Sequence, residues 1–548
     1  MDKNIGQECI CWCNQCRVPV IKTHINNFYR CPLCESQITY MSKDIRPVFP
    51  EERLLFEIIM GVPNKFIKSS VWCSNSTYFV NGVPYKVTSE MWKNINANSV
   101  RMDLEKYKGK NSYEYFDKYK KRFILLNQLH FRYIRFEAMH FIKNVSSKYN
   151  SVPQYISFSG GKDSTVVADL VVKALGNPSM LHIFCDTTLE YPFTLNYVKR
   201  LKENNSFIIL RTAKNNEHDF YTVCDDIGTP SRMKRWCCTI FKTGPISKLV
   251  RKLFGDRKLM YFNGLRGSES NVRSKYQRLS DSKSQKIQSQ LSASPIINWK
   301  DIDVWLYILS EDIDFNDAYR LGFPRVGCFC CPNGSLRNEI LGKIYSPEQS
   351  NQWNDYLLSF AKKTGIDNPE KYVSEGFWKA KQGGSGIKTY DEVSLNNKVC
   401  TIDENAKLYE IGKEISDEFY TMFTPFGKVC RQIGKKILNE TLVIRNGLPI
   451  ISIQIRDNQT VKIKTMNVKK HEDLHRKIFY QITKYKLCRR CYKCETVCPS
   501  GAIKVTNNNY IINEKLCTHC MICAGNKYIS DGCMMRRYLR VKKGKSNE

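Results

Sequence analysis

Residues 158–170, FSGGKDSTVVADL, form a glycine-rich segment that contains Lys162. The apolar run PQYISF precedes it, and a helical pattern over 164–175, closed by Gly176, follows it. The segment therefore joins a predicted strand to a helix N-terminus, where outward-pointing N–H groups and a lysine suit a phosphate. Its spacing matches neither GxxxxGK[ST] nor GxGxxG, which disfavours P-loop kinases and dinucleotide dehydrogenases. We expect nucleotide binding at this loop.

Two cysteine pairs near the N-terminus have the spacing of a metal site. They are Cys13-x2-Cys16 and, after fourteen residues, Cys31-x2-Cys34. Two such pairs place four thiolates around one ion, as in a structural zinc ribbon, and leave no open position for catalysis. We therefore expect one structural zinc ion, with the upstream Cys9 and Cys11 as surplus thiols or, alternatively, as substitute ligands.

A denser cysteine pattern lies near the C-terminus. The run Cys488-x2-Cys491-x2-Cys494-x3-Cys498-Pro is typical of bacterial ferredoxins, and Cys517-x2-Cys520-x2-Cys523 with Cys533 supplies a second set. In two-cluster ferredoxins the fourth cysteine of each run ligates the other cluster. The predicted 4Fe–4S ligand sets are therefore Cys488, Cys491, Cys494 and Cys533, and Cys517, Cys520, Cys523 and Cys498. Nine residues between Cys523 and Cys533 depart from the usual spacing of three.

The elements that must position the lysine-containing loop are short apolar strands alternating with helical stretches over residues 151–325. The strands are PQYISF, MLHIFCD, FIIL and LMYFNG. This alternation predicts an α/β fold with a doubly wound parallel sheet and ligands at the carboxyl ends of its strands. Asp186 ends the second strand, and the loop NGLRGSES, residues 263–270, follows the fourth.

The six letters SGGKDS resemble the PP-loop of the adenine nucleotide alpha-hydrolase superfamily, whose members bind ATP or adenylyl sulfates and act at the alpha-phosphate. Four further blocks, in order, resemble the phosphoadenosine phosphosulfate (PAPS) reductase family: CDTTLEYPFTLNYV, PSRMKRWCC, GLRGSESNVR and SPIINWKDIDVWLYI. The resemblance implies that the phosphate is held by Ser159, Gly160, Gly161, Lys162, Asp163 and Ser164. It also implies that Asp186 lies near the nucleotide. Arginine donates paired hydrogen bonds to oxyanions, and the arginines implied for sulfate or phosphate are Arg235, Arg266 and Arg273. The candidate catalytic residues are Lys162, Asp163, Arg235 and Arg266.

Four cysteines in the middle of the chain resemble the 4Fe–4S site of adenylyl sulfate reductases. Cys237 and Cys238 are adjacent, and Cys328-x2-Cys331 follows in GCFCCP. Four thiolates suffice for a cubane cluster, so the resemblance implies a third 4Fe–4S cluster, with zinc as the alternative metal. Cys330 is left over as a substitute ligand or a free thiol.

Five regions are expected. They are a zinc ribbon (1–45), a mixed segment with a long helix (46–150), the PP-loop domain (151–332), a helical and small-β connecting region (333–480) and a ferredoxin-type α+β module (481–540). We expect a hairpin around Asn81-Gly82, a helix opened by Asn111 and a flexible joint at residues 382–386. Paired strands are expected over 446–465, with a turn at 456–458.

The composition bears on location and partners. No apolar run approaches the length of a membrane span and no signal peptide is evident, so a soluble, cytoplasmic protein is expected. The net charge of +32 favours a nucleic-acid partner. A dispersed charge in a Lys- and Asn-rich composition is the alternative explanation.

Three functions are open. The first is an iron–sulfur oxidoreductase that reduces an adenylyl sulfate with electrons from a low-potential donor, passed through the ferredoxin-type module. The second is an ATP-pyrophosphatase-type sulfurtransferase acting on DNA or tRNA. The complete SGGKDS loop and the absence of the Glu-Cys-Gly-[Leu/Ile]-His segment of well-known adenylyl sulfate reductases favour it. The third is a non-catalytic nucleotide or redox sensor.

Overall fold

The computed structural model describes residues 9–23, 29–232, 234–255, 257–281, 290–379, 396–457, 459–488, 490, 494–495, 498–506, 509–525 and 533. The chain forms two compact units. The first comprises Met1–Thr212, Lys258–Ser280 and Leu291–Tyr356, and the second comprises Ala213–Arg257, Asp281–Gln290 and Leu357–Glu548. No helix within the described residues is both long and apolar enough to cross a membrane.

The first unit begins with a small antiparallel sheet of order β2-β1-β3, formed by β1 (Cys9–Cys13), β2 (Val18–Lys22) and β3 (Ile38–Ser42). A four-stranded antiparallel sheet follows, formed by β4 (Arg46–Pro47), β5 (Val71–Ser74), β6 (Thr77–Val80) and β7 (Val83–Lys86). Its helices are α1 (Pro50–Ile59), α2 (Ser89–Lys93) and α3 (Ala97–Tyr107). The predicted hairpin at Asn81-Gly82 is confirmed, because β6 and β7 pair across it.

The long helix expected after residue 110 is two helices, α4 (Glu114–Leu126) and α5 (Gln128–Lys148). They meet at Asn127, whose side chain accepts a hydrogen bond from the N–H of Ile21 (2.8 Å) and donates one to the carbonyl of Pro19 (3.0 Å). The prediction that Asn111 caps the helix is wrong. Its side-chain oxygen accepts a hydrogen bond from Arg53 at 2.6 Å, and α4 begins three residues later.

The predicted α/β sheet is confirmed. It has six strands in the order β10-β9-β8-β11-β13-β12, and the pairs β11–β8 and β8–β9 are parallel. Its strands are β8 (Gln154–Phe158), β9 (Leu181–Asp186), β10 (Ile209–Lys214), β11 (Leu259–Phe262), β12 (Leu279–Asp281) and β13 (Gln290–Ala293). The helices of this stretch are α6 (Lys162–Leu175), α7 (Pro192–Asn204), α8 (Phe220–Ile227), α9 (Gly244–Phe254) and α10 (Asp301–Ser310). Of these, α8 and α9 belong to the second unit.

A single hydrophobic core connects the N-terminal sheet to the six-stranded sheet that contains β8. It contains Trp12 of β1, Phe123 of α4, Ile142 of α5 and Val166 of α6. The aromatic positions of α4 are therefore core positions. Because this core is continuous, the N-terminal cysteine region and the PP-loop are parts of one packed body.

The region after the sheet contains α11 (Leu336–Tyr345), α12 (Pro347–Lys363) and α13 (Pro369–Ser374). The expected joint at residues 382–386 lies outside the described residues. A six-stranded sheet of order β14-β15-β19-β18-β17-β16 then forms, which the sequence indicated only in part. Its strands are β14 (Asn396–Val399), β15 (Ala406–Glu410), β16 (Lys428–Cys430), β17 (Glu440–Arg445), β18 (Leu448–Ile455) and β19 (Thr460–Thr465). The predicted pairing of β18 with β19 is confirmed, although Asn458 of the expected turn is not among the described residues.

The second unit ends with α14 (Asp417–Thr421), α15 (His471–Leu487) and the antiparallel pair β20 (Ile503–Val505) and β21 (Tyr510–Ile512). One core contains Ile451 and Ile463 of the six-stranded sheet, Ile478 of α15 and Ile503 of the pair. The cysteine-rich C-terminal segment is therefore packed on α15 and the sheet before it.

Candidate nucleotide site and cysteine centres

The PP-loop joins β8 to α6, as the sequence predicts, although α6 begins at Lys162 rather than at Ser164. Gly161 is the residue before the helix, and no side chain caps the first turn. Gly160 adopts a left-handed backbone conformation with φ of +72°, which glycine tolerates without strain. The hydroxyl of Ser164 donates to the carbonyl of Gly161 (2.8 Å) and accepts from the N–H of Ser159 (3.2 Å). These bonds hold the loop against the first turn of α6, whose free N–H groups can bind an anion.

Lys162 is buried in a network of charges at this turn. Its Nζ lies 3.0 Å from Asp163 Oδ2 and 3.0 Å from Asp301 Oδ1. Burial disfavours the ammonium, but the two carboxylates outweigh burial and raise the pKa of Lys162 above its usual value. Burial likewise acts against the Asp163 carboxylate, and Lys162 and Arg266 outweigh it and lower the pKa of Asp163. Both groups therefore stay ionised at neutral pH.

Arg266 is the second buried cation of the site and is 5% exposed. Its Nε donates to Asp163 Oδ1 at 2.6 Å, and its Nη2 donates to Asp301 Oδ1 at 3.0 Å. The structure thus brings together three of the four candidate catalytic residues. Arg266 and Lys162 share the same two carboxylates, so an entering oxyanion would compete with those carboxylates for both cations.

Gly264 brings the loop that carries Arg266 against the first turn of α6. A Cβ atom at Gly264 would lie 2.7 Å from the carbonyl carbon of Asp163 and 2.8 Å from the nitrogen of Ser164. These are backbone atoms, which cannot rotate away. The close approach of the two loops therefore depends on the missing side chain.

Two acids and a tyrosine complete the site, and the sequence analysis singled out none of them. Asp301 lies in the block SPIINWKDIDVWLYI, so the family resemblance could have indicated it. The hydroxyl of Tyr319 accepts a hydrogen bond from the N–H of Lys162 at 3.1 Å. Asp44 comes from the segment between β3 and β4, where no motif marks it.

Asp44 caps α10 at the edge of the nucleotide site. Its carboxylate accepts hydrogen bonds from the N–H groups of Asp301 (2.9 Å) and Ile302 (3.1 Å). Burial and then the charge of Asp301 raise the pKa of Asp44 to about 6. A residue from the predicted zinc-ribbon region therefore contributes to the electrostatics of the PP-loop.

Three predicted site residues remain, Asp186, Arg273 and Arg235. Burial is the main cause that lowers the pKa of Arg273, and the charges of Asp163 and Arg266 also act on it, so Arg273 lies near this network. Asp186 is at the end of β9, and its Oδ1 accepts a hydrogen bond from the N–H of Thr188 at 2.8 Å. Arg273 forms an ion pair with Glu269. Arg235 is exposed and belongs to the second unit.

The N-terminal cysteines form a group able to hold a metal ion. The Sγ atoms of Cys13, Cys16, Cys31 and Cys34 all lie within 4.8 Å of one another. Hydrogen bonding with Ser36 is the main cause that lowers the pKa of Cys34, to about 6. Four sulfurs at this separation fit a tetrahedral zinc ion. The structure therefore brings together the four ligands predicted from the spacing.

The middle cysteines are divided between the units. Cys328 and Cys331 belong to the first unit, where Cys331 N–H donates to the Cys328 carbonyl at 3.2 Å. Cys328 also pairs with Glu190 in the loop that follows β9, so it lies near the carboxyl end of the parallel sheet. Cys237 and Cys238 belong to the second unit. Cys238 is the first residue of a short π-helix, Cys238–Thr243, and Cys237 directly precedes it. The four-cysteine cluster remains a prediction from the sequence, and the leftover Cys330 is buried.

Seven of the eight predicted ferredoxin-type ligands lie in described residues, and Cys491 lies outside them. Burial raises the pKa of Cys517, and the charges of Cys498 and Cys520 raise it further. Burial likewise raises the pKa of Cys523 to about 12, and the charges of Cys494, Cys498 and Cys520 contribute to that increase. Cys523 thus lies near cysteines of both predicted sets, and the division of the ligands between two clusters remains a prediction.

Lys484 on α15 is a further residue that the sequence analysis missed. It is fully buried, and its Nζ donates to the hydroxyl of Tyr510 (3.2 Å) and to the carbonyl of Cys523 (3.4 Å). Burial disfavours its charge, but Cys494, Cys523 and two more cysteines outweigh burial and raise the pKa of Lys484. A buried cation suits an anionic four-thiolate cluster. The donor set therefore fits iron–sulfur clusters.

Comparisons with known proteins identify one domain of the chain. Residues 153–334 match the phosphoadenosine phosphosulfate reductase domain. An uncharacterized protein of Methanocaldococcus jannaschii is 33% identical over 244 residues, 44% of this chain and 49% of that protein. The chain thus spans about half the length of this relative. The adenosine 5'-phosphosulfate reductase of Neisseria meningitidis serogroup A is 26% identical over 175 residues, 31% of this chain and 67% of the reductase.

A crystal structure of phosphoadenylyl-sulfate reductase from Candida auris, in a phosphate complex, aligns at 15% identity with a TM-score of 0.29. The alignment covers 37% of this chain and 96% of that chain. The loop SGGKDS lies at the junction of β8 and α6, within the matched range of residues 153–334. Residues 153–334 of this chain are therefore a phosphoadenosine phosphosulfate reductase domain.

Proposed function

We propose that this protein is an iron–sulfur sulfonucleotide reductase that binds an adenylyl sulfate at the PP-loop and reduces its sulfate. The observation that carries the proposal is the buried pair Lys162 and Arg266, held side by side by Asp163 and Asp301 at the N-terminus of α6. Paired cations at a helix N-terminus recognise phosphate and sulfate oxygens. The relatives named adenosine 5'-phosphosulfate reductases support the same substrate class.

In this proposal the chain's own residues bind and orient the nucleotide. The first turn of α6 and Lys162 hold the phosphate, and Arg266 holds a second oxyanion. Asp163 and Asp301 keep both cations charged and in place when the nucleotide leaves, since an unpaired buried cation would be costly. Such preorganised positive charge stabilises the negative charge that develops on the leaving phosphate oxygen.

The overall reaction needs two electrons. Adding two electrons and one proton to adenylyl sulfate breaks the bond between sulfur and the bridging oxygen, and releases hydrogen sulfite and AMP. With a 3'-phosphorylated substrate the product is the 3'-phosphate of AMP. The cysteine sets, when they hold 4Fe–4S clusters, supply electrons one at a time from a low-potential donor.

A second candidate is ATP-dependent sulfur transfer to a nucleic acid. One observation favours it: the PP-loop keeps every residue of SGGKDS. A lysine at the loop can assist pyrophosphate departure, and ATP would then adenylylate the acceptor. The net charge of +32 is compatible with an anionic acceptor.

One anaerobic assay separates the candidates. Iron-reconstituted protein is given a low-potential reductant and incubated separately with ATP and with each adenylyl sulfate, and sulfite and pyrophosphate are measured. Sulfite from an adenylyl sulfate supports the reductase. Pyrophosphate from ATP without sulfite, stimulated by DNA or tRNA, would replace it with the transferase. Nucleotide binding without either product would indicate a sensor.

The matched variants are Lys162→Ala and Lys173→Ala. Both lysines lie on α6, but Lys173 pairs with Asp169 and Glu311 away from the loop. The first variant is expected to lose at least about 100-fold of the turnover, because it removes a buried charge that contacts the nucleotide. The second should retain turnover. Equal turnover in the two variants would contradict the role of Lys162.

A further inference from the structure

A basic cavity lies in the second unit beside the second ferredoxin-type cysteine run. Its volume is about 440 Å³. It is bounded by the hairpin between β17 and β18, the segment after β19, the start of α15, and Met521. Its charged lining residues are Arg445, Lys469, Lys470, Asp473 and Lys477. Nothing in the proposed nucleotide chemistry uses this cavity.

The four cations of the cavity are not neutralised within the described part of the chain. None of Arg445, Lys469, Lys470 and Lys477 has an ion pair there, although Lys477 Nζ lies 3.6 Å from the sulfur of Met521. Asp473, the one lining acid, pairs with Arg476 at 2.6 Å. Unpaired cations around one concavity attract an anionic partner and raise its association rate.

The opposite arrangement occurs on a strand of the same sheet. Lys462 and Lys464 on β19 both bond to Asp403, each at 2.6 Å. The sheet therefore neutralises these two neighbouring lysines, in contrast to the four cations of the cavity.

Met521 connects the cavity to the cysteine run. It lies between Cys520 and Cys523, and Cys520 is exposed. Leu448, which is 56% exposed, adds an apolar surface to the basic rim. An apolar surface next to a predicted redox centre and surrounded by cations is complementary to the surface of a negatively charged electron-transfer protein.

We propose that this cavity is the docking site of an acidic one-electron carrier protein, an iron–sulfur or flavin carrier in its reduced form. The inference rests on the proposed reductase function, because it supplies that function with its donor. In each encounter one electron would leave the carrier, which is oxidised, and would reduce by one electron the 4Fe–4S cluster that Cys498, Cys517, Cys520 and Cys523 would hold. No covalent bond changes, and two encounters supply the two electrons for one sulfate.

The test uses the full chain with a reduced, acidic [2Fe–2S] ferredoxin as the probe. The variant Lys469→Glu/Lys470→Glu reverses two cavity charges. Lys428→Glu/Lys436→Glu is the matched control, because it makes the same change of net charge at two exposed lysines of the same sheet region that do not line the cavity. Affinity is measured by calorimetry at low ionic strength, and the rate of electron transfer by stopped-flow absorbance.

The cavity variant is expected to bind ferredoxin at least about tenfold more weakly than the control variant, with a similar loss in the second-order rate of electron transfer. Reduction by methyl viologen, a small donor that needs no docking site, should be unchanged. High salt should abolish the difference in affinity, because it screens exposed charges beyond roughly 3 Å at 1 M.

Equal ferredoxin affinity in the two variants would overturn the inference. So would a selective loss of binding to a single-stranded oligonucleotide with ferredoxin affinity retained, which would assign the cavity to nucleic acid. Failure of the reductase proposal has a different signature, since it appears as absent sulfite even with methyl viologen as donor. The binding measurement does not depend on that activity.

Discussion

Replacing Gly264 with Ala tests whether the contact between the Arg266 loop and α6 creates the nucleotide site. The added methyl group would lie 2.7 Å from the carbonyl carbon of Asp163 and 2.8 Å from both its oxygen and the nitrogen of Ser164. Ordinary carbon contacts lie near 3.5–4.0 Å. The two loops must therefore separate by about 1 Å, because the opposing atoms are backbone atoms of a helix turn.

The expected cost follows from that separation. Overpacking a tightly packed site destabilises a protein by about 1–3 kcal/mol. The functional cost should be larger, because the shift moves Arg266 away from Asp163 and from the first turn of α6. A displacement of about 1 Å at a reacting centre can lower the rate about 100-fold.

The control is Gly109→Ala. A methyl group at Gly109 meets no atom within 4 Å, and its backbone needs no left-handed conformation. Stability is compared by urea unfolding followed by circular dichroism, and nucleotide affinity by equilibrium dialysis with an adenylyl sulfate. We expect the control to change stability by less than about 0.5 kcal/mol and to bind nucleotide normally. If Gly264→Ala matches the control in both measurements, the argument from close approach is wrong.

Three further predictions concern other parts of the chain. Asp44 has a raised pKa in the folded protein, so its contribution to stability is greatest below pH about 4 and is lost as the pH rises to about 6, by about 3 kcal/mol at most. The difference in free energy of unfolding between the native protein and Asp44→Asn should therefore vary with pH only in that window. A constant difference from pH 4 to 7 would contradict this prediction. Cys31→Ser should remove the bound zinc measured by mass spectrometry and leave the iron content unchanged; retention of zinc would exclude this ligand set. Lys484→Met should release iron to a chelator at least about tenfold faster than Lys486→Met, because it removes the buried cation beside the cysteines. Equal iron release from the two variants would refute that role of Lys484.

The sequence predicted those parts of the site in which chemistry requires a short, contiguous pattern. SGGKDS correctly predicted a loop that joins a strand to a helix start near Lys162, because glycine, lysine and an uncapped helix start must be adjacent in the chain to hold a phosphate. The spacing of the N-terminal cysteines predicted a group of four sulfurs, because each C-x2-C turn brings its own two sulfurs together. The α/β sheet followed from the alternation of strands and helices.

Residues brought in by tertiary packing left no such pattern. Asp44 is 257 residues from Asp301 along the chain, and it reaches the site only because the N-terminal sheet and the nucleotide-binding sheet share a core. Asn127 ends α4 through hydrogen bonds to β2, which helical periodicity cannot show. In the sequence, Lys484 does not differ from other lysines of an amphipathic helix. Its burial beside the cysteines, which the structure shows, distinguishes it from them.

The charges around Lys162 explain how a nucleotide site can be both buried and ready to bind. An isolated buried lysine would tend to lose its proton, and Asp163 and Asp301 prevent that by raising its pKa. The same carboxylates must give up part of this contact when an oxyanion enters, so binding exchanges one anionic partner for another. Asp44 can take up a proton near its pKa of about 6, and that proton would offset part of the added negative charge. We therefore expect the acids around the loop to act against weakly charged ligands and to favour those whose phosphate and sulfate groups can satisfy Lys162 and Arg266 together.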